Sequence, residues 1–239
     1  MTVVVTGAAG GVARMLIPTL EGRYPLRLTD LSDGDLTDPD FARRVTEGAS
    51  AIVHLAANAD GEHDWARLRG PNTDAVSNVL DAAVANGASK VILASSVHAA
   101  GGYVDAGRIP LSADWPAYPC CVYGATKVLG EALGRVYSDE HGLSVLCLRL
   151  GATKQRPEVV SELPGWLSPG DLGRLVTAAL DADVRYGVYF GLSANTGNWW
   201  EIGNDIGYEP VDDSARYADS VGSDTPLAPD QRLRLLHLG

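Results

Sequence analysis

The types and spacing of Tyr123 and Lys127 are the clearest indication of chemistry in this sequence. The two residues are four positions apart in a stretch with a helical pattern, and this spacing places both side chains on one face of a helix. A tyrosine with its usual pKa of about 10 is a poor base at neutral pH. A neighbouring lysine cation, helped by the positive charge of a nicotinamide ring, favours the phenolate, so we expect the two charges to lower the pKa of Tyr123 and allow proton exchange with a substrate.

Two polar side chains follow the predicted strand 90–94. Ser96 is expected at the carboxyl edge of the sheet, where open α/β folds bind their ligands. Its hydroxyl can hold a substrate oxygen while Tyr123 exchanges a proton and a nicotinamide ring exchanges a hydride; the alternative for Ser96 is a simple strand-end cap. His98, in the next loop, is a candidate substrate contact, although a single loop histidine is as often incidental.

A glycine-rich turn directly after the first predicted strand matches a dinucleotide-binding fingerprint. Gly7 permits the tight turn, Gly10 lets a pyrophosphate approach the backbone, and the small Ala13 lets the helix pack on the strand. The phosphates would meet the N-terminus of a helix, whose N–H groups attract anions. An ordinary glycine turn is the alternative. The residues predicted to bind a cofactor here are Gly7, Ala9, Gly10, Gly11 and Val12.

Asp30 ends the second predicted strand, at the position where dinucleotide-binding proteins carry an acidic residue. A carboxylate there accepts hydrogen bonds from the ribose hydroxyls of NAD and repels the 2′-phosphate of NADP. No arginine follows Asp30 to receive such a phosphate, so the sequence favours NAD. Leu31 is included in the predicted cofactor site, and a surface turn is the alternative role for Asp30.

The elements that position these residues alternate between short β-branched runs and longer helical stretches. Strands are predicted at 3–5, 26–28, 51–55, 90–94, 144–150 and 188–190, and helices near 39–47, 71–86 and 121–140. Continuous apolar strands separated by helical lengths indicate a parallel sheet covered on both faces. The expected fold is α/β, a Rossmann-like doubly wound parallel sheet with a small C-terminal substrate-binding lobe.

We expect a single domain over the whole chain of 239 residues. Residues 1–150 would form the NAD-binding core and residues 151–239 the small substrate-binding portion. A further helix is predicted to begin near Pro169 with Ser168 as its cap. The polar tail from Asp212 onward is expected to be partly loose.

The composition fits a globular protein and excludes several partners. The net charge is −11, whereas nucleic-acid binding needs a basic surface, and the same charge would repel anionic membranes. No apolar run approaches the ~20 residues of a membrane helix. The first strand is predicted to begin near Thr2, so we expect no signal peptide ahead of it. We therefore expect a cytoplasmic protein with a small-molecule substrate and neither a nucleic-acid nor a membrane partner.

The three cysteines, Cys120, Cys121 and Cys147, are expected to be reduced thiols. An odd count without metal-ligand spacing is typical of a reducing compartment, so no metal site is predicted. A reactive thiol is the alternative at Cys120 or Cys121, which lie just before Tyr123. No histidine in the sequence is obviously placed to activate either one.

Together these motifs resemble the extended short-chain dehydrogenases, or NAD-dependent epimerase/dehydratase family. Within that family the sequence is most similar to the uronate dehydrogenases, which oxidise hexuronic acids at C1 to lactones. The resemblance extends from Thr2 to about Tyr208. The segments that carry it are 6–11, 54–55, 94–98, 123–127, 148–151, 166–171 and 193–200.

The resemblance implies further cofactor contacts. Asp35 and Leu36 are expected to flank the adenine ring. Asn72 resembles a helix asparagine that helps to order this region. The residues expected to line the nicotinamide side are Leu55, Ala56, Ala57, Ala94 and Leu150. Tyr123 and Lys127 are predicted to contact the cofactor as well.

The sequence departs from the uronate dehydrogenases around the substrate. Ala59 and Ala152 stand where that family has serines, and Val97 stands where it has an asparagine. Ser161 occupies the position of the arginine that grips the uronate carboxylate, and Arg156 is a candidate to replace that arginine. Because a buried carboxylate without a cation is costly, we predict a different, less acidic substrate.

Three functions remain open on the sequence alone. The first is an NAD-dependent dehydrogenase or reductase acting on a small sugar, polyol, lactone or ketone, since the segment after residue 150 is short for a nucleotide-sugar site. The second is an isomerase or epimerase with tightly held NAD. The third is a non-catalytic NAD-binding sensor, which would be expected to lose the Tyr/Lys pair. A homodimer or higher homo-oligomer is expected through the helix that bears Tyr123.

Overall fold

The computed structural model of the chain describes residues 1–59 and 64–222. The strands are β1 (Val3–Thr6), β2 (Leu26–Thr29), β3 (Ala51–His54), β4 (Lys90–Ser96), β5 (Ser144–Leu150), β6 (Ala152–Thr153), β7 (Trp166–Leu167) and β8 (Tyr186–Gly191). The α-helices are α1 (Gly11–Glu21), α2 (Pro39–Thr46), α3 (Trp65–Arg69), α4 (Ala75–Ala85), α5 (Gly101–Asp105), α6 (Val122–His141) and α7 (Pro169–Asp181). A π-helical turn occupies Gly70–Asp74, and 3₁₀ turns occupy Val97–Ala100, Val160–Gly165 and Ser214–Tyr217.

Six strands form one parallel sheet in the order β2-β1-β3-β4-β5-β8. The chain moves outward to β2 on one side of β1 and then to β3 on the other side. The order therefore reverses between β1 and β3, where Thr6 is in register with His54. In a doubly wound sheet, this reversal opens a crevice at the carboxyl ends of the strands.

Helices cover both faces of the sheet because its strands are apolar on both sides. On one face, α1 and α7 bury Leu16 and Leu172 against β1 and β5. On the other face, α2 and α4 bury Phe41 and Val79. A third cluster around Trp200 packs beside the 3₁₀ turn that follows β4. The predicted doubly wound α/β fold is confirmed.

The predicted helix at Pro169 is confirmed, since the Asp171 N–H donates to Ser168 Oγ at 2.9 Å as an N-cap requires. The helix predicted over 71–86 differs from α4, which begins only at Ala75. The preceding π turn contains Pro71, which has no N–H to donate to a regular helical ladder.

The polar segment from Asp212 is well bonded as far as residue 222, so the expectation that it is loose is wrong there. The Asp212 N–H donates to the buried Asp171 carboxylate at 3.0 Å, and Ser214 Oγ donates to the Leu163 carbonyl at 2.7 Å. The rest of the predicted loose tail, 223–239, lies outside the described residues.

The C-terminal portion shares the sheet with the N-terminal core, since β8 pairs with β5 and α7 packs beside α1. A separate substrate-binding role for residues 151–239 stays a prediction. Among the helices that the structure describes, none has both the length and the apolar character needed to cross a membrane.

Candidate active site

Two segments bring the predicted catalytic residues together. Ser96 ends β4, and its hydroxyl accepts the His98 N–H at 3.2 Å. Tyr123 lies in the first turn of α6. The helix approaches β4 closely because residue 124 is glycine: a Cβ on Gly124 would overlap the His98 carbonyl oxygen. This approach allows a hydrogen bond between the Tyr123 phenol and Ser96.

In the polypeptide without a cofactor, the pKa of Tyr123 is raised above its ordinary value. Burial and the nearby Cys121 thiol raise the pKa of the phenol, and the weaker effect of the Ser96 hydrogen bond lowers it. Lys127 Nζ lies 5.4 Å from the centre of the Tyr123 ring. In the polypeptide by itself, the cost of burying a phenolate exceeds any benefit from that cation. The lowering expected from Lys127 together with the positive charge of a bound nicotinamide ring stays a prediction.

Lys127 is a buried cation at the wall of a cavity, with 8% of its surface exposed. Burial lowers its pKa to about 8, and no acidic group among the described residues offsets that effect. The neighbouring His54 is held neutral, because burial and the Lys127 charge lower its pKa to about 3. Perturbed groups of this kind at a cavity are typical of functional sites.

A cleft of about 690 Å³ opens at the carboxyl ends of the strands, where the sheet order reverses. It is lined by the loops that follow β1, β2 and β3. The predicted cofactor residues found in its lining are Gly7, Ala9, Gly10, Gly11, Asp30, Leu31, Asp35, Leu36, Leu55, Ala56 and Ala57. The cleft is therefore the candidate dinucleotide site.

The start of α1 suits a pyrophosphate. Its N-cap residue is Gly10, so no side chain caps the first N–H groups of the helix. A Cβ on Gly11 would meet open space, whereas one on Gly7 would lie 2.6 Å from the Ala56 backbone nitrogen. Gly7 also has a φ of +69°, which favours glycine. Free N–H groups and the positive end of the helix dipole attract phosphate.

Asp30 is fixed at the edge of this cleft by the loops beside it. Its Oδ2 accepts the Ala9 N–H at 2.8 Å, and its Oδ1 accepts the Leu31 N–H at 2.8 Å. Carboxylate oxygens have further lone pairs, which remain available to ribose hydroxyls. The described lining contains the acidic Asp35 as well and no lysine or arginine. These residues fit NAD and would repel a 2′-phosphate.

A second cavity, of about 320 Å³, continues from the cleft to the predicted catalytic residues, sharing Gly10 and Leu55 with it. It brings together most of the remaining predicted residues. Those in its lining are Val12, Ala59, Ala94, Ser96, Val97, His98, Tyr123, Lys127, Leu150 and Ala152. The cavity is therefore the candidate substrate site.

Asn72 lies behind the two cavities and is in the lining of neither. Its side-chain oxygen accepts the Asn58 N–H at 2.7 Å, and its amide donates to the Asn58 carbonyl at 2.9 Å. The same amide donates to Thr126 Oγ1 at 3.3 Å. Asn72 thus joins the segment after β3 to α6, a positioning role that agrees with the expected ordering of this region.

This second cavity contains a cation that the sequence analysis did not single out. Lys154 lines it, and its Nζ pairs with Glu158 at 2.9 Å and with Glu162 at 2.8 Å. The predicted substrate residues Arg156 and Ser161 are not in this lining, because the chain turns outward after Lys154 and exposes Arg156. The sequence signal for Lys154 is its position just after a short strand, at the ligand-binding edge.

The sequence shows no histidine obviously placed to activate the paired cysteines, but the fold brings His98 to them. His98 Nδ1 lies 3.1 Å from Cys120 Sγ and 3.6 Å from Cys121 Sγ. The close approach of α6 to the turn after β4 creates this contact between segments distant in sequence. Cys147 is buried elsewhere, in the layer that packs under α2 and α4.

The fold and these residues define a class of protein. A dinucleotide cleft at the reversal of a parallel sheet, followed by a Ser–Tyr–Lys set, is the arrangement expected of a short-chain dehydrogenase. A family model described as the NAD dependent epimerase/dehydratase family matches residues 3–153. The chain belongs to this NAD-dependent epimerase/dehydratase family, and it is an NAD-dependent oxidoreductase.

Relatives extend the match over nearly the whole chain. NAD-dependent glucose-6-phosphate dehydrogenase from Haloferax volcanii is 32% identical over 90% of this chain and 95% of its own. Uronate dehydrogenase from Pseudomonas putida is 32% identical over 94% of this chain and 89% of its own. L-arabinose 1-dehydrogenase (NAD(P)(+)) from Haloferax volcanii is 33% identical over 89% of this chain and 97% of its own. A solved structure of a mutated uronate dehydrogenase gives a TM-score of 0.89 at 29% identity, covering 100% of this chain and 94% of that one.

Proposed function

We propose that the protein uses NAD⁺ to oxidise the C1 hydroxyl of a small, uncharged sugar. The observation that carries this proposal is the grouping of Ser96, Tyr123 and Lys127 at the wall of a cavity that continues from the dinucleotide cleft. The names of the relatives, dehydrogenases of glucose 6-phosphate, uronate and L-arabinose, support a sugar as the substrate.

Each side chain of the site has a separate role in the proposed reaction. NAD⁺, when bound, supplies the hydride acceptor at C4 of its nicotinamide ring. The Ser96 hydroxyl holds the substrate oxygen, and the Tyr123 phenolate removes the proton from that oxygen as the adjacent C–H bond breaks. Lys127 contributes the positive charge that favours the phenolate, assisted by the charge of the oxidised cofactor. The proton on Tyr123 afterwards leaves to solvent.

The charges around the cavity support an uncharged substrate. Lys154 is neutralised by two glutamates, and Glu162 is only 1% exposed. A carboxylate on the substrate would compete with these glutamates for the same cation. The wall also carries Ala59 and Ala152, which offer no hydrogen-bond donors from their side chains. Because an uncompensated buried carboxylate is costly, a neutral sugar fits this cavity better than a uronate.

The test measures NADH formation by absorbance with L-arabinose, D-xylose, D-galactose, glucose 6-phosphate, glucuronate and galacturonate. We expect neutral aldoses to be used with the highest kcat/KM. The Tyr123→Phe variant should lose about 10²–10⁴-fold in kcat/KM. Tyr118→Phe is the matched control, because Tyr118 is 50% exposed and does not line the cavity.

Three results would contradict the proposal. Preferred turnover of uronates would mean that Lys154 can leave its glutamates and bind a carboxylate. Absence of any net redox change, with NAD retained through purification, would instead indicate an isomerase. Equal activity of the Tyr123→Phe variant and the control would remove Tyr123 from the mechanism.

We also propose that two copies of the chain associate through α6. Small or apolar residues are exposed along one face of this helix at helical spacing: Ala125, Leu129, Ala132 and Val136. Leu129 is 41% exposed and Val136 is 46% exposed. Light scattering should show a dimer that the Leu129→Glu substitution dissociates. Val211→Glu, at an exposed valine outside α6, should leave the dimer intact; a monomer before any substitution would contradict the proposal.

A further inference from the structure

Three soft metal-ligand atoms meet where the turn after β4 touches the start of α6. Cys120 Sγ and Cys121 Sγ are 4.0 Å apart, and His98 Nδ1 lies 3.1 Å and 3.6 Å from them. The histidine is buried, whereas both cysteines are partly exposed, so an ion can reach the cluster from solvent. Neither thiol has a part in the proposed hydride-transfer mechanism.

The separations of these three atoms are those of a zinc site. With Zn–S bonds of ~2.3 Å, Zn–N bonds of ~2.0–2.1 Å and tetrahedral angles, two sulfurs lie about 3.8 Å apart and sulfur and nitrogen about 3.6 Å apart. The observed values, 4.0, 3.6 and 3.1 Å, differ from these by about half an ångström or less. The ligand atoms therefore need little movement to share one ion.

The local backbone holds the two segments in this arrangement. Cys121 is the N-cap of α6, and its Sγ accepts the Gly124 N–H at 3.3 Å. The Cys120 N–H donates to the His98 carbonyl at 3.2 Å, which fixes the loop on the turn that carries the histidine. The cluster is thus preformed by bonds that do not involve a metal.

We propose that His98, Cys120 and Cys121 form a site for a soft divalent cation of the zinc class. The metal would accept one bond from His98 Nδ1 and one from each thiolate sulfur, while the two thiol protons pass to solvent. A water molecule would complete the tetrahedron on the exposed side, as in zinc sites with three protein ligands. Such a site would connect the two segments that carry Ser96 and Tyr123, and it does not depend on the proposed sugar oxidation.

The experiment uses the full chain, reduced and stripped of metal with a chelator, and titrates it with Co²⁺ and then with Zn²⁺ against a chromophoric chelator. We expect one Co²⁺ per chain with a thiolate-to-cobalt charge-transfer band that Zn²⁺ removes. Because two protons are released, the affinity for Zn²⁺ should rise up to about 100-fold per pH unit while both thiols are protonated.

Cysteine variants decide whether this cluster is the site. Cys121→Ser should abolish the charge-transfer band while keeping the fold, because serine is also a good N-cap. Cys120→Ser should abolish it as well, and Cys147→Ala should retain it, since Cys147 lies in a different cluster of the core. The proposal is overturned if the reduced protein shows no thiolate band, or if the band survives in a folded Cys121→Ser variant.

Discussion

Replacement of Lys127 by methionine is expected to stabilise the protein and to inactivate it. Burial lowers the pKa of Lys127 from 10.5 to about 8, which corresponds to a cost of about 3 kcal/mol for the charged form in the folded chain. Methionine has a similar length and no charge to bury. The free energy of unfolding should therefore rise by up to about 3 kcal/mol, and Tm by about 6–12 °C.

The pH dependence of this gain follows from the direction of the shift. The pKa of Lys127 is lower in the folded chain than in the unfolded chain, so folding favours its neutral form. The full penalty is present below about pH 8, and it disappears as the pH rises from about 8 towards 10.5. The stability difference between the Lys127→Met variant and the wild type should shrink over the same interval.

Lys90 provides the matched control, because it is also a buried lysine with 8% of its surface exposed. Its Nζ donates to the carbonyls of Ala179, Leu180 and Ala182, at 3.0, 2.8 and 2.5 Å, near the end of α7. Methionine at this position would leave buried carbonyls without their donor. Lys90→Met should therefore destabilise the protein by about 1–3 kcal/mol.

Urea unfolding at several pH values measures both variants, and kcat/KM with NAD⁺ measures the activity. Lys127→Met should lose about 10²–10⁴-fold in kcat/KM. Destabilisation of Lys127→Met by as much as Lys90→Met would refute the reasoning, because it would mean that Lys127 stabilises the fold. A stability gain with unchanged activity would refute the catalytic role of Lys127.

Three further changes test other parts of the structure. Asp30→Ala should raise the NADP-to-NAD ratio of kcat/KM by about 10–100-fold, since it removes a carboxylate that repels a 2′-phosphate; an unchanged ratio would place the ribose elsewhere. Glu131→Gln should lower the free energy of unfolding, measured in urea, by about 3–5 kcal/mol. The buried Arg149 pairs with Glu131 at 2.8 Å and would lose its anion. Replacing Glu131 by leucine and Arg149 by methionine together should lower the free energy of unfolding much less than Glu131→Gln does. Gly124→Ala should separate Tyr123 from Ser96 and lower kcat more than it raises the KM for NAD. A kcat equal to that of the wild type would show that α6 can shift freely.

Much of the fold could be predicted because its determinants are local. The apolar run of β1, the glycines that follow it and the Ser168 cap each express a preference of the backbone over a few residues. The spacing of Tyr123 and Lys127 likewise fixes their common helix face. The resemblance to a family, carried by the same motifs, supplied the distant members of the site such as Leu150.

Other features could not be predicted because they depend on segments that meet only in the folded chain. The π turn moves the start of α4, and Asn72 acts by joining the segment after β3 to α6. Arg156 and Lys154 are two residues apart, yet only Lys154 lines the cavity, since that depends on the direction of the chain after β6. Spacing along the chain carries no information on that direction.

The sequence by itself determined the doubly wound sheet, the glycine turn with Asp30, and the Tyr123–Lys127 pair, because short-range patterns specify each of them. Only the tertiary structure decided the pKa values of the buried groups and the contacts between segments distant in sequence. The pKa of a phenol or an ammonium group depends on how much water surrounding elements exclude, which is a property of the packed site. The contact of His98 with Cys120 and Cys121 likewise exists because α6 comes close enough to β4 for a glycine alone to fit between them.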